Sequence, residues 1–434
     1  MYFSKKFKTI NKDHFWQVIF SSTLFHRSFT SAITMSDNDV ENRERIDRLV
    51  RKILSNLGKS FDGAKYELST PNTFYMSELF YVKVKPENDN VGSQSHINVV
   101  MKIPSLKEEK RNILKSDEQF HNEMLFYRDY AGNSDSYPRC YYVEENPPLE
   151  TVIALENVKQ RGYEIIDWSL KTSFDYNLAV LKEVGRFHGA GYIMKKRQSN
   201  KFFNIVNNIQ ETRYFSTSEN FVKTFTNIVA MRPIDYLRDH GYDEVFCEKV
   251  SKYFSNCFDN VLLRSTKPEE PLAVICHGDV TMNNVMFKNE NGQIKVMLID
   301  FAMLRYGSPA IDLSTFFSLY CIEEIKNNRI GNLLKVYHNS LMEYFEEHNF
   351  NEIEDYSYDA FCEDYRKYGL VGYIIATFFL RVVLKISTLN EEMVFSMDVK
   401  EAANLVSKDG GEAHTKTLAD ITIDIICITF LYIR

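Results

Sequence analysis

The sequence predicts an α/β protein of the α+β kind in two lobes, a small β-rich N-terminal lobe and a larger, mostly helical C-terminal lobe. Three observations predict it. At 434 residues the chain is too long for one ordinary compact core. Between residues 80 and 155, short β-branched or aromatic runs flank one helix-like stretch. Beyond residue 158 the apolar spacing turns helical. The expected division is an N-terminal extension over 1–40, a small lobe over 41–157 and a large lobe over 158–434.

Residues 1–34 carry Lys5, Lys6, Lys8, Lys12 and Arg27 against one acid, Asp13. That composition resembles a mitochondrial-type presequence, while Met35 opens a polar stretch that serves equally well as a start, so residues 1–34 are set aside from the fold. Over 41–57 the positions Ile46, Leu49, Val50, Ile53, Leu54 and Leu57 recur at three and four, the mark of an amphipathic helix that Gly58 stops. Residues 80–85 and 96–103 read as strands bounded by Pro86 and Pro104, with a polar hairpin loop over 87–95. Ser116 and Gln119 have capping-box spacing, and Phe120, Met124 and Tyr127 follow as a stripe, which predicts a helix over 116–131. Residues 151–155 read as a strand, 157–162 as a connection able to join the lobes, and 175–196 as a helix. Residues 285–287 and 294–299 interrupt the helices with a hairpin around Asn291-Gly292.

Composition narrows the classes. A formal charge of -7 gives no reason to expect nucleic acid, which calls for a basic stripe. Seven cysteines without a C-x-x-C pair form neither a disulfide nor a zinc framework, which fits a reducing compartment and a cytoplasmic protein, or a mitochondrial one if residues 1–34 are a presequence. Arg381 interrupts the most apolar stretch, residues 368–384, so a buried helix is expected there rather than a stable membrane span. Aromatic residues at 14% either fill the core or line a roomy apolar pocket.

The hairpin matters for what brackets it: His277-Gly278-Asp279 and Asn284 before it, Asp300-Phe301 after it. Phosphoryl transfer from ATP needs a carboxylate near the attacking hydroxyl and hard oxygen ligands for magnesium. A hairpin that starts at one group and ends at the other brings them together. Asp279 and Asn284 have the Asp-x-x-x-x-Asn spacing of the protein-kinase catalytic loop, in which the Asp accepts the hydroxyl proton and the Asn holds metal. Asp300 suits the second metal ligand. Each piece alone is a common turn or cap; the ordered combination is the signal.

Such a site needs a phosphate-binding lysine and an acid to hold it. Lys102 ends the run Val-Val-Met-Lys, and Glu123 lies on the inward stripe of the next helix, so an ion pair between them is expected. Residues 66–77 contain no glycine, which leaves Asn72 for the tight turn and the Ser77 hydroxyl for the phosphates. Residues 156–158, between Glu156 and Val158, are where backbone groups would meet adenine. Asp312 is placed to cap the following helix or to brace the catalytic loop, a structural role, and His188 reads as a satisfied core histidine. Only about four residues separate Phe301 from Tyr306, too few for a protein-kinase activation segment.

These residues resemble the ecdysteroid kinase-like (CHK kinase-like) family, related to choline and aminoglycoside kinases. The resemblance rests on Cys276-His277-Gly278-Asp279 through Asn284, Leu298-Ile299-Asp300-Phe301, Tyr306-Gly307-Ser308-Pro309-Ala310-Ile311-Asp312-Leu313, Glu123 within 120–127, and Leu155-Glu156-Asn157-Val158, and it spans roughly residues 48–430. It implies a protein-kinase-like fold, ATP as donor, Mg2+, and a small lipophilic alcohol such as an ecdysteroid as acceptor. By the same resemblance Asp279 is the catalytic acid-base, Asn284 and Asp300 are the metal ligands, Lys102 binds phosphate and Glu123 is its partner. Asn72 replaces the usual loop glycine and Thr281 stands where Trp is frequent. Two other readings stay open: a choline- or aminoglycoside-type acceptor, and a kinase-fold protein that binds a nucleotide or hormone with weak turnover.

Overall fold

The structure is a computed structural model that describes residues 37–59, 65–69, 77–85, 96–106, 108, 111–112, 115–132, 134–147, 149–167, 173–215, 221–390, 394 and 397–429. The presequence-like stretch, the loop over 87–95 and Asn72 lie outside the described residues.

The small lobe is an antiparallel sheet of β1 (Lys65–Ser69), β2 (Ser77–Lys85), β3 (Ile97–Pro104), β4 (Cys140–Glu144) and β5 (Val152–Glu156), in the order β1-β2-β3-β5-β4. Helix α1 (Asp37–Asn56) ends where Gly58 takes φ +66°. Its stripe, Ile46, Leu49, Val50, Ile53 and Leu54, packs on one face of the sheet against Val99, Met101 and Ile103. Alternation along β3 therefore turns Val100 and Lys102 to the opposite face, which borders the interlobe cavity. β4 has no counterpart in the sequence reading, because its residues are half-buried throughout and show no alternation.

Helix α2 (Ser116–Leu125) differs from expectation at both ends. No capping box forms: Lys115 holds the N-cap position with φ 53° and no side chain caps the helix. Ser116 and Gln119 line the cavity instead. At the other end the helix widens into a π-helical turn, Phe126–Ala131, that buries Phe126, Tyr127 and Tyr130. Phe126 stacks on Phe301 with ring centroids 3.4 Å apart. Packing against the segment after Asp300 thus overrides the plain helical continuation.

The large lobe is built on a second core. It comprises α3 (Phe174–Arg197), α4 (Ser199–Asn208), α5 (Phe221–Val229), α6 (Arg232–Asp239), α7 (Glu244–Phe254), α8 (Ala310–Tyr320), α9 (Ile322–Lys326), α10 (Ile330–Glu347), α11 (Tyr358–Tyr368), α12 (Leu370–Val383), α13 (Val399–Val406) and α14 (Gly411–Thr429). Two small antiparallel pairs sit among them: β6 (Val274–Cys276) with β9 (Arg305–Gly307), and the hairpin β7 (Val285–Glu290) with β8 (Gln293–Leu298). Both hairpin-turn residues have positive φ, Asn291 at 53° and Gly292 at 78°, as an Asn-Gly type I′ turn requires.

The apolar stretch over 368–384 is a buried helix, and among the described residues no helix is long and apolar enough to cross a membrane. Arg381 is fully buried and pairs with Asp409 at 2.6 Å. His414 on α14 is buried in the same region, where burial first, then the charges of Arg232 and Arg381, outweigh Asp409 and push its imidazole down to about 4. The unfolded chain titrates such a group near 6.5, so it binds more protons than the folded one between these values. Stability contributed by neutral His414 is therefore full above about pH 6.5 and falls toward pH 4, by roughly 3 kcal/mol. Denaturant titrations across this range should show a shallower pH slope in His414→Gln; an unchanged slope would exclude His414 as its source.

Candidate active site

The strand and helix faces just described converge on a cavity of about 370 Å³ between the lobes. Leu79, Val100 and Leu155 wall it from the small lobe, Met286 and Ile299 from the large. Its size and apolar walls with a few polar groups are those of a small-ligand site.

Lys102 is the central cation. Its Nζ donates to Glu123 Oε2 at 2.5 Å and to Asp300 Oδ1 at 3.2 Å, joining β3, α2 and the end of β8. Both line the cavity, but the Glu123 side chain is 3% exposed and that of Asp300 35%, so the first is the buried anchor and the second the more open group. Burial would weaken the ammonium, but the two carboxylates hold Lys102 above its usual range. One ammonium shared by two carboxylates leaves an excess negative charge. Burial first, and the Asp300 charge as well, push Glu123 up to about 7 against the pull of Lys102.

Asp300 takes φ 67°, a left-handed backbone that costs about 1–3 kcal/mol for a residue with a side chain and is tolerated where the surroundings enforce it. Here they do. Phe301, directly after it, is fully buried among Phe126, Tyr127, Tyr137, Phe187 and His277.

The His277-Gly278-Asp279 motif is braced by Asp312. Asp312 Oδ2 accepts the His277 N–H and Oδ1 the Gly278 N–H, both at 2.8 Å. Of the two structural roles expected for Asp312, the brace is the one formed; Pro309 holds the N-cap position of α8 and no side chain caps it. Burial pushes Asp312 up, but the hydrogen bond and charge of His188, with the Gly278 N–H in the same direction, outweigh it and hold the carboxyl low. His188 is the satisfied core histidine expected, sharing its two ring nitrogens between Asp312 and Tyr337. His277 carries its proton on Nε2, which donates to the Ile299 carbonyl at 2.9 Å, while Nδ1 accepts from the Asp279 N–H at 3.3 Å.

Asp279 is thereby set at the cavity wall, 5% exposed, where Asn284 Nδ2 donates to its Oδ2 at 2.8 Å and to its carbonyl at 3.0 Å. The amide oxygen of Asn284 is the atom left over for a cation. Ile299 N–H donates to the Asn284 carbonyl at 3.0 Å, which closes the hairpin and brings both ends of the motif together. Ser77, Glu156 and Val158 also line the cavity. The Glu156 carboxylate turns to the Arg139 N–H and Arg161, leaving backbone groups to face a ligand.

Sequence reasoning missed Arg213, whose Nη2 lies 3.8 Å from Asp279 Oδ1. It stands in a polar run without periodicity, Gln210-Glu211-Thr212-Arg213, and nothing in that run marks it. Past Asp300 the chain makes one 3₁₀ turn, Phe301–Met303, and enters β9 at Arg305, so no activation segment intervenes.

Fold and family together define a small-molecule kinase. The chain belongs to the ecdysteroid kinase-like family, which matches it over residues 71–350. An uncharacterized kinase-like protein of Caenorhabditis elegans is 23% identical over 333 residues, covering 70% of this chain and 81% of that protein. Among solved structures, Plasmodium vivax ethanolamine kinase aligns with a TM-score of 0.41 at 11% identity, over 87% of this chain and 92% of its own. A microcompartment-associated aminopropanol kinase aligns with a TM-score of 0.40 at 13% identity, over 89% and 99%.

Proposed function

We propose that this protein transfers the γ-phosphoryl group of ATP to a hydroxyl of a small lipophilic alcohol such as an ecdysteroid. The observation that carries the reading is the single cluster in which Lys102 bridges Glu123 and Asp300 while Asn284 holds Asp279 at the same cavity. Asp279 accepts the proton of the attacking hydroxyl, and Lys102, held by Glu123, binds the phosphates. Ser77 contacts phosphate, and the backbone of Glu156 and Val158 meets the adenine. Asp300 and the Asn284 amide oxygen are hard donors beside an excess negative charge, which fits magnesium; when bound it neutralises phosphate charge.

Acceptor class follows from the charge beside the base. The cation Arg213, at 3.8 Å from Asp279, opposes an ammonium group and supports a neutral alcohol over choline or an aminoglycoside. All seven cysteines are free, in keeping with a reducing, cytoplasmic setting. The test is transfer from magnesium ATP to a panel of ecdysteroids, choline, ethanolamine and aminoglycosides, read as a phosphate mass increment. Phosphorylated steroid is the expected product. Preference for an ammonium alcohol would overturn the acceptor class, and no transfer to any acceptor or to water would overturn the kinase reading.

A further inference from the structure

Residues 209–215, between α4 and α5, form neither helix nor strand, yet they are held at nearly every step. Gln210 exchanges two hydrogen bonds with the fully buried side chain of Asn122, its N–H to Oδ1 at 2.9 Å and its carbonyl from Nδ2 at 2.8 Å. Asn122 adjoins Glu123 on α2, and its Nδ2 also donates to the carbonyl of Ala302, two residues past Asp300, at 3.4 Å. Thr212 Oγ1 donates to Met303 Sδ at 3.2 Å. Glu211 Oε1 accepts the N–H groups of Arg213 and Tyr214, both at 2.8 Å, and Arg305 Nη2 at 3.1 Å.

This strap ties the helix of Glu123 to the turn after Asp300 and delivers the Arg213 side chain, 11% exposed, to Asp279. A separation of 3.8 Å is a charge contact, too long for a hydrogen bond. Lys102, Asp279 and Asp300 line the nucleotide cavity and Arg213 does not. Lys102 thus meets the cluster inside the cavity, while Arg213 meets Asp279 without lining it.

We propose that Arg213 is a catalytic residue, a cation supplied in cis that meets the phosphoryl group as it passes from donor to acceptor, and that residues 209–215 are the strap that aims it. The proposal rests on the kinase reading above. In the step, the acceptor oxygen forms a bond to the γ-phosphorus, the bond from that phosphorus to the β–γ bridging oxygen breaks, and its electron pair leaves with ADP. The hydroxyl proton goes to Asp279. Negative charge on the transferring group's oxygens is then bracketed by Lys102 and Arg213, the arrangement in which a preorganised cation acts most strongly.

The test needs no acceptor. Transfer to water is measured for wild type, Arg213→Met and Arg213→Lys, together with the affinity of magnesium ADP alone and with aluminium fluoride, which mimics the phosphoryl group in flight. Arg213→Met is expected to lower kcat by about 10²–10³-fold, to change ADP affinity by less than about threefold, and to abolish the tightening that aluminium fluoride gives wild type; Arg213→Lys should fall between. Unchanged kcat or unchanged tightening in Arg213→Met overturns the proposal. So does loss of ADP affinity in step with kcat in both variants, which marks Arg213 as structural. A wild-type protein with neither turnover nor tightening overturns the kinase reading itself, an outcome distinct from the other two.

Discussion

Asp279→Asn should lower phosphoryl transfer by about 10²–10⁴-fold, the range that a positioned general base contributes. The substitution keeps the shape of the side chain and an oxygen able to accept from Asn284 Nδ2, now 2.8 Å away. It removes the proton acceptor and one partner of the Arg213 contact. Magnesium ADP affinity is expected to stay within about threefold, because Lys102 remains held by Glu123 and Asp300. Initial rates beside nucleotide titrations check both halves. Wild-type rates in the variant would remove Asp279 from the chemistry.

Gly278→Ala should disable the site by a different route. Gly278 has φ +81°, and an added Cβ would lie 1.9 Å from the carbonyl oxygen of Met303, a backbone atom with no rotamer to swing away. The left-handed conformation costs an L residue about 1–2 kcal/mol, and relieving the overlap adds about 1–3 kcal/mol. Relief means moving either the loop held by Asp312 or the turn that follows Asp300, and each carries a cavity carboxylate. Loss of both transfer and a fraction of the denaturation midpoint is expected. An alanine variant with native activity would mean that the loop tolerates a geometry other than the one described.

The contrast between these residues shows which parts of the site a sequence can reveal. Lys102 and Glu123 are legible because each breaks a pattern: a lysine within an apolar strand and an acid on an inward helical stripe imply a partner, and the structure joins them. Asp279, Asn284 and Asp300 are legible because their spacing surrounds a hairpin whose turn chemistry is local. Ser116 and Gln119 mislead, since capping-box spacing says nothing about a cavity that competes for the same side chains. Arg213 and Asn122 stay hidden because their meaning lies in contacts between segments remote in the chain, Arg213 with Asp279 and Asn122 with Gln210, and no period or motif encodes such contacts. The π turn after α2 is hidden likewise, being a response to Phe301, which is remote in the chain.

The stack of Phe126 on Phe301 bears on how this protein can be inhibited. A compound that works by turning the phenyl group of Phe301 outward, and filling the space it vacates, would have to break ring contacts to Phe126, Tyr127, Tyr137, Phe187 and His277 together. Aromatic pairs are worth about 0.5–1.5 kcal/mol each beyond the area they bury, so that route begins at a disadvantage of several kcal/mol. Ligands that compete for the cavity walled by Leu79, Val100 and Met286 meet no such barrier. Chemical probes for this enzyme should therefore be sought among flat, nucleotide-sized molecules.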